Sequence, residues 1–150
     1  MRRLLIPALL ILASCSLQQA GKSNLPEPTI VLNQLSRVGD PTRDLTGPVS
    51  VQFQVTVTNN ATQPIELRRV DLQSIGFGSY NISANHPFQL SIAPGATESA
   101  TFWASGSIQN ASMNGANGPV TLRTSLQFDS AAGAFQSTVV RSVNRQGSGD

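Results

Sequence analysis

Cysteine, charge, histidine and aromatic rings are all scarce in this 150-residue chain. With one cysteine, Cys15, no disulfide can brace the fold and no cysteine-built metal cluster can form. Charged residues make up 12% of the chain, too few for the basic stripe that a nucleic-acid surface requires. Ten Lys and Arg stand against eight Asp and Glu, but two of the ten are Arg2 and Arg3. Without that pair the formal charges balance. The one long apolar run, Leu4 to Ala13, falls short of the ~20 residues of a membrane-spanning helix. The only histidine, His86, has no Gly-x-Ser-x-Gly elbow to serve, and the acidic residues form no marked pair. Catalysis and metal binding therefore have little to stand on, and the chain reads as a non-enzyme.

What is present is a chain rich in Ser, Thr, Asn, Gln, Val and Gly and poor in Lys and Glu. That composition favours strands and turns over helices. Val49 to Thr58 is the clearest strand: Val49, Val51, Phe53, Val55 and Val57 alternate with polar residues throughout. Val120 to Asp129 gives another, with Val120, Leu122, Leu126 and Phe128 directed inward. Thr29 to Leu35, Pro64 to Ile75, Phe88 to Ile92, Thr97 to Ala104 and Phe135 to Val143 complete the main set. Tyr80 to Ser83 is expected as a short edge piece. Between Pro64 and Ile75 the apolar parity slips, from Ile65 and Leu67 to Val70 and Leu72, which predicts a β-bulge at Arg68-Arg69. Turns are predicted at Asn59 to Gln63, Pro94-Gly95 and Ser130 to Gly133, and a long uncharged loop from Ser105 to Pro119. The expected fold is all-β: a two-sheet antiparallel sandwich of seven or eight strands. Such a domain over residues 29–143 is long enough to bury a core without disulfides. Residues 144–150 are expected to be a disordered tail.

The start of the chain has its own pattern. Arg2 and Arg3, a short apolar core and small residues before Cys15 make a secretory signal. Leu12-Ala13-Ser14-Cys15 resembles the lipobox of bacterial lipoproteins. The resemblance implies removal of residues 1–14 and attachment of diacylglycerol and an N-acyl chain to Cys15, with no other cofactor. Ser16 follows the cysteine, where enteric-type lipoproteins kept at the inner membrane have aspartate. This implies an outer-membrane location facing the periplasm. Residues 15–28 then read as the lipidated cysteine and a flexible polar tether, with Pro26 and Pro28 opposing helix.

Two stretches of the domain resemble bacterial immunoglobulin-like sandwiches. Val55-Thr56-Val57-Thr58-Asn59-Asn60 is similar to the strand and turn of CARDB-like adhesion domains. Leu90 to Glu98, with Pro94-Gly95 at its centre, is similar to their later hairpin. Residues 49–103 are also similar to the late-embryogenesis-abundant, WHy-type domain, with Asn60 in the place of that family's proline. The first resemblance implies a binding or structural module. The second implies a stress-protective protein acting on unfolded clients or membranes. Neither brings a catalytic residue.

Among individual residues, Trp103 follows the apolar Phe102 in a strand and so points to the opposite face, either as a filler at the sandwich edge or as an exposed platform for a partner. The amide-rich loop beyond it is either a mobile surface loop or an interaction site that offers Asn110, Asn114 and Asn117 for hydrogen bonds to a glycan or a partner backbone. His86 is expected in an exposed turn between Asn85 and Pro87. Asp40 and Asp44 share one loop but lack the dense ladder of a calcium site. Three Asn-x-Ser/Thr sequences, at Asn60, Asn81 and Asn110, are chance matches behind a bacterial lipobox. The expected function is a lipid-anchored, non-enzymatic envelope protein. Its membrane contact is the acyl anchor and its partner an envelope protein or glycan.

Overall fold

The computed structural model describes residues 25–36, 48–75, 80–108 and 120–143. They form seven strands: β1 (Thr29–Gln34), β2 (Pro48–Thr58), β3 (Ile65–Ile75), β4 (Tyr80–Ile92), β5 (Thr97–Ile108), β6 (Val120–Ser130) and β7 (Phe135–Val143). All pairings are antiparallel, and the strands make one sheet in the order β1-β2-β5-β4-β3-β6-β7. The alternation in the sequence sets the faces. Val51, Phe53, Val55 and Val57 of β2 are fully buried, as are Leu122, Leu126 and Phe128 of β6, and they meet in one core. The ring of Phe128 stacks on that of Phe135, with centroids 5.1 Å apart.

The sequence pattern leads to two separate sheets; the structure joins the strands into one. The join is a short seam where Tyr80–Ser83 of β4 pair with Ile108–Ser105 of β5. Gly106 sits in this seam opposite Ile82. A Cβ there would collide with the carbonyl oxygen of Asn81 and press on Ile82, so only glycine lets the two backbones approach. Beyond the seam β4 and β5 pair only with their outer neighbours, β3 and β2, until the turn at residues 93–96 reunites them. In that turn the Ala96 amide donates to the Ala93 carbonyl (3.0 Å), and Gly95 takes a φ of +72°. At the far edges, Ser137 of β7 donates to the Glu27 carboxylate just before β1 (2.8 Å). The sheet is thus nearly closed on itself.

Three expectations about boundaries change for physical reasons. Tyr80–Ser83 and Phe88–Ile92 are one strand, because pairing with β3 carries the backbone straight through Ala84-Asn85-His86-Pro87. Pro87 is tolerated there because β4 has a free edge on its other side. Ser105–Ile108 belong to β5, not to a loop, since β2 pairs with this stretch on one side and β4 on the other. Finally, residues 25–28 pack on the domain. Pro28 is buried, Leu25 rests against the core, and the Asn60 side-chain amide donates to the Glu27 carbonyl (2.8 Å). The bulge falls where the parity slip places it, between Leu67 and Arg69.

One buried polar residue links the turns. Asn59 is 1% exposed. Its side-chain amide donates to the carbonyls of Gln63 (2.9 Å) and Ile92 (3.0 Å), and its oxygen accepts from the Ala61 amide (2.9 Å). Its backbone donates to Ala96 and accepts from Gly95, both at 2.9 Å. The hydroxyl of Thr124, by contrast, is buried in the core with no hydrogen-bond partner.

These features give three expected outcomes in urea unfolding. Asn59→Ala strips two buried backbone groups and one part-buried one of their partners and lowers stability by about 2–4 kcal/mol. Thr124→Val removes an unpaired hydroxyl from the apolar core and raises stability by about 1 kcal/mol. Gly106→Val forces the β4–β5 seam open and costs about 2–3 kcal/mol or more. An unchanged midpoint in the first or third variant contradicts the role given to that residue.

Candidate functional site

The outer surface divides into two chemically different faces. Of β1, β2 and β5, the only charged residue is Glu98, which alternates with the outward Thr97 and Ser99. The outer face of β3 and β6 carries Glu66, Arg68, Arg69, Asp71, Arg123 and Asp129. The two faces follow from the same strand alternation, filled with different residues.

On the charged face, the bulge sets two arginines side by side. Arg68 pairs with Glu66 (2.7 Å) and reaches Asp129 (3.4 Å). Both ion pairs are exposed and add little to stability. Arg69 has no ion pair among the described residues. A shallow groove of about 480 Å³ opens beside it, lined by Arg68, Arg69, Pro87, Phe88, Gln89 and Gln127. Asp71 is held in turn by Asn85 and by Gln127 (3.5 Å). The face is a hydrogen-bonded polar network across β4, β3 and β6.

His86 does not lie in a turn. It sits within β4, half-buried, with its ring 5.8 Å from that of Phe102 and 6.0 Å from that of Phe88. Phe102 stacks on Phe53 at 6.0 Å. These rings fill the gap where β4 and β5 part, so His86 is a packing residue in the split. No group of three or more His, Cys, Asp or Glu able to hold a metal occurs among the described residues.

The uncharged face holds the one exposed indole. Trp103 is 54% exposed while its neighbour Phe102 is 2% exposed, so the alternation places them on opposite sides. Trp103 lies directly across from Gln52 of β2. On the other side of Gln52 lies Leu35, whose amide donates to the Gln52 carbonyl (2.8 Å). The next row is Asn33, Gln54 and Thr101. Further along, the hydroxyls pair among themselves, Thr56 with Ser99 and Thr58 with Thr97, both at 2.8 Å. No such side-chain pair forms around Trp103 among the described residues. Of the four large apolar residues exposed among the described ones, three lie on this face: Val31, Leu35 and Trp103.

The remaining sequence candidates lie outside the described residues: Leu12, Ala13, Ser14 and Cys15 at the start, Asp40 and Asp44, and Asn110, Asn114 and Asn117. Sequence reasoning places Trp103 opposite Phe102 but does not bring Gln52, Gln54 and Leu35 beside it. The parity of β2 marks Gln52 and Gln54 as outward. The signal lacking is the β2–β5 register, which brings residues about 50 positions apart into contact.

No family model matches the chain, and no curated protein matches it. Solved structures do, at the level of fold. The protein named ApaA from Bordetella pertussis is 14% identical with a TM-score of 0.52, over 80% of this chain and 93% of that one. A protein from Archaeoglobus fulgidus is 10% identical with a TM-score of 0.45, over 81% of this chain and 95% of that one. The chain is similar to the first in its β-rich, barrel- or sandwich-like fold, and the likeness extends to fold alone.

Proposed function

We propose that the protein is a lipid-anchored envelope component whose β domain is displayed from a membrane and acts by binding, without catalysis. The sequence support is Leu12-Ala13-Ser14-Cys15 behind a charged and apolar start. The observation that carries the display is the polarity of the domain. The chain enters at Leu25–Thr29, strapped by Asn60 and Ser137 beside the 59–64, 93–96 and 131–134 turns. The strand ends at Pro48, Ile75, Tyr80, Ile108 and Val120 all lie at the opposite pole, while β1 stops midway, with Gln34 across from Phe53. An 11-residue strand such as β2 separates the two poles by about 35 Å. An anchor on the entry side therefore leaves the far pole directed away from the membrane.

The lipid is sufficient as the attachment. One acyl chain holds marginally and two or more hold stably, at about 0.8 kcal/mol per buried CH₂. The domain then needs no membrane-binding face of its own. Its flanks, β1-β2-β5 and β4-β3-β6-β7, support a reading as an immunoglobulin-like sandwich joined along one seam. Ser16 supports placement at the outer membrane, facing the periplasm.

Cys15→Ala tests the anchor. The wild-type protein is expected in the membrane fraction with an acyl-dependent mass, and the variant in the soluble fraction or as an uncleaved precursor without acyl mass. Wild-type protein whose mass carries no lipid overturns the proposal.

A further inference from the structure

The geometry points to the Trp103 face as a binding platform for a neutral carbohydrate chain, an assignment that rests on the binding role proposed above but not on the anchor. The argument begins with charge. By strand alternation the rows of β1, β2 and β5 that include Trp103 carry no ionised side chain, the exposed Glu98 lying in the opposite register at the turn end of β5, whereas the outer face of β3 and β6 carries six. An ionised partner gains nothing from the first face and would lose hydration on meeting it. A polyhydroxylated, uncharged ligand loses nothing of that kind.

The side chains then match such a ligand group by group. Trp103 presents its ring at the outer surface of the sheet, where the apolar C–H face of a sugar can lie on it. Gln52 stands directly across and Gln54 diagonally, each offering an amide N–H₂ donor and a carbonyl acceptor. Asn33 and Thr101 extend the polar row on either side of Gln54, and Leu35 closes the Trp103 row with a second apolar contact. Rows along a strand repeat every second residue, about 6.7 Å apart, so an extended chain crosses several rows. Sugar hydroxyls both donate and accept, which is what amides and hydroxyls on a fixed lattice can meet.

A protein partner, including a second copy of the chain, fits less well. Interfaces between proteins draw their energy from buried aromatic and Arg anchors and are depleted in Ser, with Thr and Val weak contributors. This face has one aromatic residue amid Ser, Thr, Gln and Asn, and no arginine.

The chain contains a single tryptophan, so its fluorescence reports on residue 103 alone. Full-length lipidated protein in detergent is titrated with cellohexaose, maltohexaose and chitohexaose. At least one is expected to give a saturable change in emission, unaffected by raising salt to about 0.5 M, since no ion pair is involved. By calorimetry, Trp103→Ala is expected to weaken that binding about tenfold or more, and Gln52→Ala about fivefold. Trp103→Tyr, which keeps a ring, should recover part of it. Both positions are exposed or half-exposed, and an unchanged urea midpoint verifies that the variants fold. No response to any of the three sugars, binding unchanged in Trp103→Ala, or binding abolished by salt would each overturn the assignment. So would an emission change that tracks protein concentration alone, the sign of a second copy on the face. The Cys15→Ala protein, purified in the same detergent, should bind sugar as the wild type does, so failure of the anchor and failure of the platform are read separately.

Discussion

The buried side chain of Asn59 is the constraint on which the arrangement of the strands depends. A primary amide taken out of water is costly unless each of its donors and acceptors is met. Here both donated hydrogens and the oxygen find backbone groups, on Gln63, Ile92 and Ala61. Those partners belong to the β2–β3 connection and to the end of β4. The backbone of the same residue bonds to the β4–β5 turn. One residue therefore fixes where β2 ends, where β3 can begin and how far β4 runs. Asn60, next in the chain, fixes the entry of β1 through Glu27 and Thr29. Moving any of these elements by one residue would flip its apolar face outward.

At the other pole the constraint is steric. Gly106 supplies the absence of a side chain that the β4–β5 seam requires, and the seam makes one sheet of what would otherwise be two. Between Asn59 and Gly106, β4 and β5 are free to part, and the gap is filled by His86, Phe88 and Phe102. The lone histidine is thus accounted for by packing. The two outer faces are left with no shared task in holding the fold, which is why one can be rich in ion pairs and the other empty of charge.

Much of this is legible in the sequence, and the reasons differ by element. β2 and β6 declare themselves because a strict period of two needs no partner to be recognised, and the same period assigns Trp103 to the side opposite Phe102. The bulge at Arg68-Arg69 shows as a parity slip for the same reason. The continuity of β4 is hidden, since Ala84-Asn85-His86-Pro87 carries no strand preference and only pairing with β3 extends it. The end of β5 is hidden likewise: Ser105, Gly106 and Ser107 read as loop until both neighbours are in place. Packing of Leu25 and Pro28 was masked by the polar composition around them. The neighbours of Trp103 are set by register between distant segments, which local pattern does not encode.

The pairing of β2 with β5 also bears on time. Its nearest partners, Thr58 and Thr97, are 39 residues apart, and every other pair along the two strands is more distant. β3 with β4, and β6 with β7, are hairpins between neighbours in sequence. Loop-closure entropy must be met before a distant pair contributes any contact energy, and chains dominated by such pairs fold in milliseconds to seconds. The hairpins are therefore free to form while the long edge of β2 is still bare. How long that edge stays open is governed by the length of chain enclosed, not by the strength of the bonds that finally close it.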